Sequence, residues 1–203
     1  MKKIPCLFKR EFENHKVTKL LNEVTEGCEW VYTLPTVIAT EKFDGTACLI
    51  KEGKLYKRYD AKKGKKVPEE AILCQPEADP ITGHFPVWVP VKEDKPDDKW
   101  YIKAFKQLER DSMIYDKYII DGTYELCGPH FQTNPYNLNE DTFFKHGSKV
   151  IEELEDYSFE SIKNYLETHN IEGIVFWSNK QGEQMCKIRR KDFGFPWNEK
   201  REK

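Results

Sequence analysis

The 203-residue sequence predicts an α+β fold, built mostly from antiparallel sheets with helices flanking them. Two observations lead to this class. Strand-like segments come in runs joined by short turns, which is typical of antiparallel pairing, and only three segments carry helical periodicity. Hydrophobic residues make up 38% of the chain and aromatic residues 13%, enough for a substantial core. The length suits one domain, expected to span residues 1–203.

The first half is expected to contain one helix and a meander of three strands. Apolar residues in 9–24 recur at helical spacing. Strands are predicted over 36–43, 46–51 and 54–60, with turns at "FDGT" and "KEGK". Residues 61–99 are rich in Pro, Gly and charge and are interrupted by the apolar "FPVWVPV". We interpret them as an excursion over the domain surface.

The second half is expected to mix helices and strands. A helix begins after Pro96, and Ser158 has the residue type of an N-cap. "IEGIVFW" and "EQMCKIRR" form a predicted hairpin joined by "SNKQG". The predicted elements are a helix over 97–112, strands over 117–128 and 141–146, a helix over 158–170, and strands over 171–177 and 183–190.

Composition excludes several classes of protein. The net charge of −2 is unlike a globally basic nucleic-acid binder, although basic runs occur at 57–66 and 187–191. The six cysteines form no C-x-x-C pair, which argues against zinc and favours free thiols. No segment approaches the roughly 18 apolar residues of a membrane span, and the N-terminus lacks a signal-peptide core. We expect a soluble, cytoplasmic protein without membrane contact or an obligate protein partner.

The segment "EKFDGT" (41–46) has two interpretations. Asp-Gly between strand-like runs is a hairpin signal, which would make Lys42 one more solvated charge. Alternatively, Lys42 is a nucleophile. A free lysine has a pKa of about 10.4, so an attacking lysine needs a cationic neighbour or a metal ion to become neutral. If the electrophile is a nucleotide phosphate, other cations must hold the phosphate, and carboxylates must hold a metal ion and the ribose.

The chain supplies residues of each kind at predicted strand ends. Each one alone is typical of a solvated surface, and Lys187 and Arg189, two apart, share one face of a strand. Their joint order is more informative than any single residue. The order is Lys-x-Asp-Gly at 42–45, Arg58, Glu125 in "YELCG", Glu172 in "IEGIV", and Lys187 with Arg189 in "CKIRR".

This order resembles the covalent nucleotidyltransferase superfamily of ATP-dependent ligases and mRNA capping enzymes. "TEKFDGT" matches the nucleophile motif, "IEGIVFW" the metal-carboxylate motif, and "CKIRRKDFGFPW" the final lysine motif. "YELCGPHFQTNPYNL" is similar to the Glu-bearing motif, and "GHFPVWVPV" precedes it as in the vertebrate-type ATP-dependent 5′-to-3′ RNA ligases. The resemblance covers residues 35–197. It implies a nucleotidyltransferase (ligase adenylation) domain without an OB-fold.

The resemblance also implies a reaction. Lys42 would attack the α-phosphate of ATP and carry AMP, which would pass to an RNA 5′-phosphate before a 3′-hydroxyl displaces it and seals the strand. Lys187 and Arg189 would hold the α-phosphate and orient the leaving group. Glu172 would hold Mg²⁺ or Mn²⁺. Arg189 stands where many relatives have lysine, and a guanidinium cannot act as a proton donor.

The remaining roles concern the nucleotide and the RNA. Glu125 would bind the ribose, Arg58 the ribose or the incoming 5′-phosphate, and His146 would stack on adenine. Thr40 and Glu41 would line the adenine edge, largely through backbone. The basic runs are the available grip on RNA with 5′-phosphate and 3′-hydroxyl ends, through Lys62, Lys63, Lys65, Lys66 and Arg190. Two alternatives stay open: a GTP-dependent capping-type or DNA-ligase-type enzyme, and a non-catalytic nucleic-acid-binding relative.

Overall fold

The computed structural model describes residues 3–14, 16–62, 64–79, 83–116, 118–154, 156–179 and 183–197. Contacts within the chain divide it into two compact units. The first unit comprises Met1–Lys3 and Asp44–His146, and the second comprises Ile4–Phe43 and Gly147–Lys203. The chain therefore leaves the second unit just after Phe43 and returns to it just after His146.

Both units are built from strands with few helices. The strands are β1 (Phe8–Glu13), β2 (Lys16–Val24), β3 (Ile38–Lys42), β4 (Thr46–Lys51), β5 (Lys54–Ala61), β6 (Ile72–Leu73), β7 (Phe85–Pro90), β8 (Gly122–Cys127), β9 (Thr142–Lys145), β10 (Gly173–Trp177) and β11 (Met185–Arg189). The α-helices are α1 (Trp30–Thr33), α2 (Lys99–Ile114) and α3 (Phe159–Thr168), and short 3₁₀ turns cover Pro96–Asp98 and Arg190–Phe193. All named strand pairs are antiparallel. The predicted α+β class is confirmed.

The first unit contains a six-stranded sheet in the order β6-β7-β5-β4-β8-β9. Helix α2 begins directly after the 3₁₀ turn at Pro96, as predicted, and packs its apolar side against the sheet. Ala104 of the helix is buried with Leu126 of β8 and Phe131. Burial of this cluster holds the helix on the sheet, leaving its other side exposed.

The second unit contains a three-stranded sheet in the order β11-β10-β3 and a separate β1-β2 hairpin. One face of the sheet is apolar, with Ile174, Phe176, Cys186 and Ile188 all at 0% exposure. Helix α3 packs against this face through Ile162 and Leu166. The Ser158 hydroxyl accepts a hydrogen bond from Ser161 N at 3.2 Å, so the predicted N-cap is confirmed.

The helix predicted over 9–24 is wrong, because this segment is the β1-β2 hairpin. Its apolar spacing fits a helix and a hairpin equally well. Asn14 has φ 47°, a left-handed conformation that suits a turn, and Phe8 is 2% exposed in the core of the second unit. Tertiary burial therefore decides a conformation that local periodicity leaves undecided.

The predicted three-stranded meander is also wrong. β4 and β5 form its second hairpin, with Glu52 and Gly53 at the turn, but β3 pairs with β10 and belongs to another sheet. The Asp-Gly pair at 44–45 is therefore not a hairpin turn. A Cβ on Gly45 would lie 2.4 Å from Leu126 O, so this glycine permits close approach of the chain to β8.

The prediction that residues 61–99 form an excursion over the domain surface is wrong for part of the segment, which belongs to the sheet of the first unit. Its apolar stretch is β7, which pairs along its length with β5 and buries Val87 and Trp88. The strand predicted over 117–128 begins only at Gly122, and the strands over 141–146, 171–177 and 183–190 are confirmed as β9, β10 and β11.

Two expectations from composition can be compared with the structure. All six cysteines are free thiols, five of them buried. Among the described residues, no helix combines the length and the apolar character that crossing a membrane requires.

Candidate active site

The register of the three-stranded sheet brings four of the predicted residues onto one face. Lys42 of β3 and Arg189 of β11 both lie opposite Gly173 of the central strand β10. Two residues further along β10, Thr40 and Lys187 both lie opposite Val175. Directly opposed residues of antiparallel strands share a face, and so do residues two apart. The opposite face is the apolar core of the second unit.

Gly173 lies between Lys42 and Arg189 in the sheet, and it has no side chain to stand between theirs. A Cβ at this position would lie 2.2 Å from Ile188 O and 2.8 Å from Arg189 Cα. No side chain fits there while β10 and β11 keep their hydrogen bonds, because real Cβ atoms do not approach backbone so closely. The Glu-Gly pair of "IEGIV" is thus a packing requirement as well as a sequence motif.

The Lys42 ammonium forms an ion pair with the Glu172 carboxylate. Lys42 Nζ also donates a hydrogen bond to Phe43 O at 3.2 Å. The Glu172 side chain is 7% exposed and that of Lys42 is 20% exposed, so the pair is mostly shielded from solvent. The predicted nucleophile and the predicted metal carboxylate are therefore in direct contact.

Lys187 has a strongly perturbed pKa. Burial, together with the positive charges of Lys42 and Arg189, lowers the pKa of Lys187 to about 8, although Glu172 acts in the opposite direction. Its backbone is fixed by the N-terminal segment, since Lys187 N donates to Pro5 O at 2.9 Å and Leu7 N donates to Lys187 O at 2.7 Å. A pKa perturbed by burial and by neighbouring charges is typical of functional sites.

Arg189 is held by a buried carboxylate, Asp192, which lies within the final lysine motif but has no predicted role there. Its Nη2 and Nε donate to the two carboxylate oxygens of Asp192 at 2.7 and 3.1 Å. Arg10 of β1 lies 3.5 Å from the same carboxylate. Burial alone raises the pKa of Asp192, but the hydrogen bond from Arg189 and the charges of Arg189 and Arg10 hold it below its ordinary value. Asp192 therefore orients Arg189.

Thr40 and Glu41 have partners that restrict their predicted role at the adenine edge. The Thr40 hydroxyl accepts a hydrogen bond from Trp177 Nε1 at 2.7 Å. Glu41 is ion-paired with Lys149, and its backbone N–H donates to Lys149 O at 2.9 Å. The Glu41 N–H is thus already engaged. Trp177 and Lys149 are further residues of this region that sequence reasoning missed, because only the strand register brings them here.

The first unit holds the remaining predicted nucleotide-binding residues. Glu125 Oε2 lies 2.9 Å from His146 Nε2, and Glu125 Oε1 accepts from Gly45 N at 3.1 Å. The predicted ribose carboxylate is thus held by the predicted adenine-stacking residue. Among the described residues, no group pairs with the other ring nitrogen of this histidine, Nδ1, which is buried.

Arg58 lies on β5 of the first unit. Its Nε donates to Asp60 Oδ1 at 2.8 Å, and its guanidinium lies 5.8 Å from the centre of the Trp88 ring. These contacts keep the side chain along the sheet. The predicted nucleotide-binding residues thus form two sets: Arg58, Glu125 and His146 in the first unit, and Thr40, Glu41, Lys42, Glu172, Lys187 and Arg189 in the second.

The predicted RNA-binding residues differ in their surroundings. Lys62, Lys65 and Lys66 are exposed just after β5, and Lys63 lies outside the described residues. Arg190 is engaged elsewhere, because its guanidinium donates to Leu166 O and to His169 O, the latter at 2.9 Å, at the end of α3. Arg190 therefore caps a helix, and these contacts do not support its assignment to RNA.

The residues present fit a Mg²⁺ or Mn²⁺ ion that is shared with a nucleotide. Within the described part of the chain, no three His, Cys, Asp or Glu side chains converge as a self-sufficient metal site. Mg²⁺ is commonly bound through one or two carboxylates together with substrate phosphates and water. Glu172 is a shielded carboxylate that could supply one such ligand, and the phosphates would have to supply others.

Comparison with known proteins identifies a distant relative. The chain is similar to RNA ligase 1 of Pongo abelii, with 24% identity in an alignment 269 positions long that covers 97% of this chain and 82% of the relative. No family model matches the chain. The similarity extends over nearly the whole sequence and indicates a relationship to RNA ligases.

Proposed function

We propose that the protein is an ATP-dependent RNA ligase that works through a lysyl-AMP intermediate on Lys42. The contact between Lys42 Nζ and the Glu172 carboxylate, on a sheet face that also carries Lys187 and Arg189, is the main support for this proposal. A nucleophile, a carboxylate for a metal ion and two cations for a phosphate are the groups that the chemistry requires. The similarity to RNA ligase 1 supports RNA as the substrate.

In the first step, the Lys42 ammonium loses one proton to solvent, and the neutral Nζ attacks the α-phosphorus of ATP. The N–P bond forms as the bond from the α-phosphorus to the bridging oxygen breaks, pyrophosphate leaves, and Nζ releases a second proton to solvent. Lys187 and Arg189 bind the α-phosphate oxygens and stabilise the charge that develops on them. Glu172 orients Nζ in the free protein and would hold Mg²⁺ or Mn²⁺, which supplies charge neutralisation on the phosphates.

Two further transfers complete the reaction. An oxygen of the RNA 5′-phosphate attacks the lysyl-AMP phosphorus, the N–P bond breaks, and AMP is joined to the RNA by a new pyrophosphate bond. The 3′-hydroxyl oxygen then attacks the 5′-phosphorus of the RNA and AMP leaves, so a phosphodiester bond is formed. In this assignment Glu125 would bind the ribose, and His146 would hold Glu125 in place through its Nε2.

Labelling with α-³²P nucleotides tests the proposal. We expect label from ATP on the wild-type protein, none on Lys42→Ala, and none on Lys42→Arg, because a guanidinium stays protonated. Label from GTP in place of ATP would indicate a capping-type enzyme. No label from either nucleotide would indicate a non-catalytic relative, and label that survives Lys42→Ala would exclude Lys42 as the nucleophile.

The choice of RNA over DNA needs a second assay. A protein that carries AMP should seal a 5′-phosphorylated RNA break and leave the matching DNA break largely unsealed. Preferential sealing of DNA would replace the proposed function by a DNA-ligase activity while leaving the Lys42 chemistry intact.

A further inference from the structure

Helix α2 carries four exposed cations on one side. Lys99, Lys103, Lys106 and Arg110 are all exposed to solvent. At about 100° per residue, these four positions lie within about 60° of arc around the helix axis. The buried side of the helix, with Ala104, faces the sheet of the first unit. The four cations therefore form a continuous stripe, here called the α2 stripe, that packing in the core does not require.

The α2 stripe lines a shallow groove of ≈ 590 Å³. Apolar side chains of Ile102 and Met113 line it between the cations, and Glu109 is its one acidic member. Consecutive cations are three or four residues apart, which places them about 4.5–6 Å apart along the axis. A row of positive charges at this spacing beside an apolar floor fits an extended polyanion better than a single small anion.

The cations of the stripe are mostly unneutralised. Lys106 is paired with Glu93 at 2.7 Å. Among the described residues, no carboxylate lies within ion-pair distance of Lys99, Lys103 or Arg110. Lys99 and Lys103 instead lie 4.7 and 5.3 Å from the centre of the Trp100 ring, which keeps both ammonium groups close to the helix. The Arg110 guanidinium donates a hydrogen bond to the side-chain oxygen of Gln107, which is neutral. The charges of Lys99, Lys103 and Arg110 are thus not neutralised by a carboxylate.

Trp100 itself is not available as a platform for bases. Its ring is stacked on the imidazole of His130, with 3.3 Å between ring centres. His130 is fixed in turn by Asp141, 2.7 Å from its Nδ1. A nucleic acid that contacts this side of the helix would therefore be held by the cations and not by stacking of a base on Trp100.

We propose that the α2 stripe binds the phosphate backbone of the RNA substrate. The inference rests on the proposed function, and it adds a contact surface separate from the basic run at 57–66. Recognition is expected to be independent of sequence, because phosphates carry no base information. It is also expected to be strongly salt-dependent, because each neutralised phosphate releases counterions.

The test compares two triple variants of the full chain. Lys99→Gln, Lys103→Gln and Arg110→Gln together remove the unneutralised charges of the stripe, and glutamine keeps a similar helix propensity. The matched control carries Lys19→Gln, Lys51→Gln and Lys163→Gln, which removes the same charge elsewhere. Binding of a fluorescent single-stranded RNA is measured by anisotropy between about 50 and 200 mM salt. Labelling by ATP is measured in parallel.

In a plot of the logarithm of the binding constant against the logarithm of the salt concentration, the slope of the stripe variant should be shallower by about 2, at about 0.7 for each lost phosphate contact. When the salt concentration rises fourfold, the fold-loss of affinity should therefore be about 16 times smaller in the stripe variant than in the wild-type protein. The control should keep the wild-type slope, and both variants should keep wild-type labelling by ATP.

An unchanged salt slope in the stripe variant would overturn the inference, and so would an equal change of slope in the control variant. An equal loss of affinity for poly-glutamate in the stripe variant would indicate a general polyanion surface and would overturn it too. A wild-type protein that is not labelled by ATP would instead reject the proposed function. Because RNA binding is measured without ATP, the two failures can be distinguished.

Discussion

Lys42 and Arg189 lie opposite the same residue, Gly173, from the two sides of strand β10. The proposed nucleophile and one proposed phosphate-binding cation therefore depend on a single position of the central strand. Their spacing is set by backbone hydrogen bonds, and no side chain of β10 stands between them at that level.

Gly173→Ala should separate β10 from β11. Its Cβ would lie 2.2 Å from Ile188 O, so the strands must move apart or the residue must distort. Overpacking of this kind costs about 1–3 kcal/mol of unfolding free energy. We expect urea denaturation to show that loss and ATP labelling to fall with it. Gly173 does not have a positive φ, so this loss would come from packing and not from backbone strain. Wild-type unfolding free energy in Gly173→Ala would contradict a close-packing role for Gly173.

Glu172→Gln should remove metal-dependent labelling while the fold is retained. Glutamine keeps the shape of the side chain but offers a weaker ligand and no charge to Lys42. Loss of one group that acts on developing charge typically lowers rate roughly 100-fold or more. Glu23→Gln is the control, since it breaks an exposed lysine pair, with Lys9, in the same unit. Normal labelling at low Mg²⁺ in Glu172→Gln would exclude a metal role.

Phosphate binding by Lys187 should weaken above pH 8. Its folded-state pKa of about 8 lies below the ordinary lysine value, so the ammonium loses its proton as pH rises through 8. The affinity for a non-hydrolysable ATP analogue should therefore decline between about pH 7 and 9, with proton uptake on binding. Calorimetry in buffers of different ionisation enthalpy measures that uptake. Lys187→Arg should abolish it, and an identical proton uptake in that variant would assign it to another group.

The lowered pKa of Lys187 also makes the stability of the fold depend on pH. The folded protein holds fewer protons on Lys187 than the unfolded chain does between about pH 8 and 10.5. The cost of burying this ammonium is thus fully present below pH 8 and diminishes as pH rises.

Asp192→Asn should destabilise the protein and disorient Arg189. Breaking a buried ion pair by removing one charge costs about 3–5 kcal/mol. The pKa of Asp192 is held below its ordinary value, so its stabilising effect is present above about pH 4 and is lost as pH falls further. The difference in unfolding free energy between wild type and variant should therefore shrink below about pH 4. A difference that stays constant down to pH 2 would show that the carboxylate charge is not responsible.

Sealing should depend on the basic run after β5 more than labelling does. The run contributes Lys62, Lys65 and Lys66, which are exposed, and Lys63. Changing all four to Gln should flatten the salt slope of RNA sealing by up to about 3, at 0.7 for each phosphate. Labelling by ATP should stay near wild type. Equal losses in both assays would indicate that the run serves the nucleotide or the fold, and no loss in either would indicate a solvated loop.

Helices and strands are predicted correctly where a single buried face sets the spacing of the apolar residues. Helix α3 and the β10-β11 hairpin were found because apolar spacing and turn residues agree there. The β1-β2 hairpin was missed because Phe12, Val17 and Leu20 fit either conformation. Pairing of β3 with β10 joins residues more than 130 positions apart, and no local signal can reveal such a pairing.

The candidate site was predicted in part for similar reasons. Lys42, Glu172, Lys187 and Arg189 were named in advance, and the structure places them in one unit. Asp192 was missed, although an Asp three residues after Arg189 is a local signal for a cap on the following turn. Lys149 and Trp177 carried no such signal, since their contacts with Glu41 and Thr40 depend on strand register.

The side chains of β11 alternate between two faces of the sheet, so the number of residues in this strand cannot change without exchanging those faces. Cys186 and Ile188 enter the core of the second unit, while Lys187 and Arg189 lie on the other face. Deleting one residue within the strand would exchange the two faces beyond the deletion, so a cation would enter the core and an apolar residue would replace it on the outside. Substitutions at these positions can be tested one at a time, but a change in length would damage folding and chemistry together.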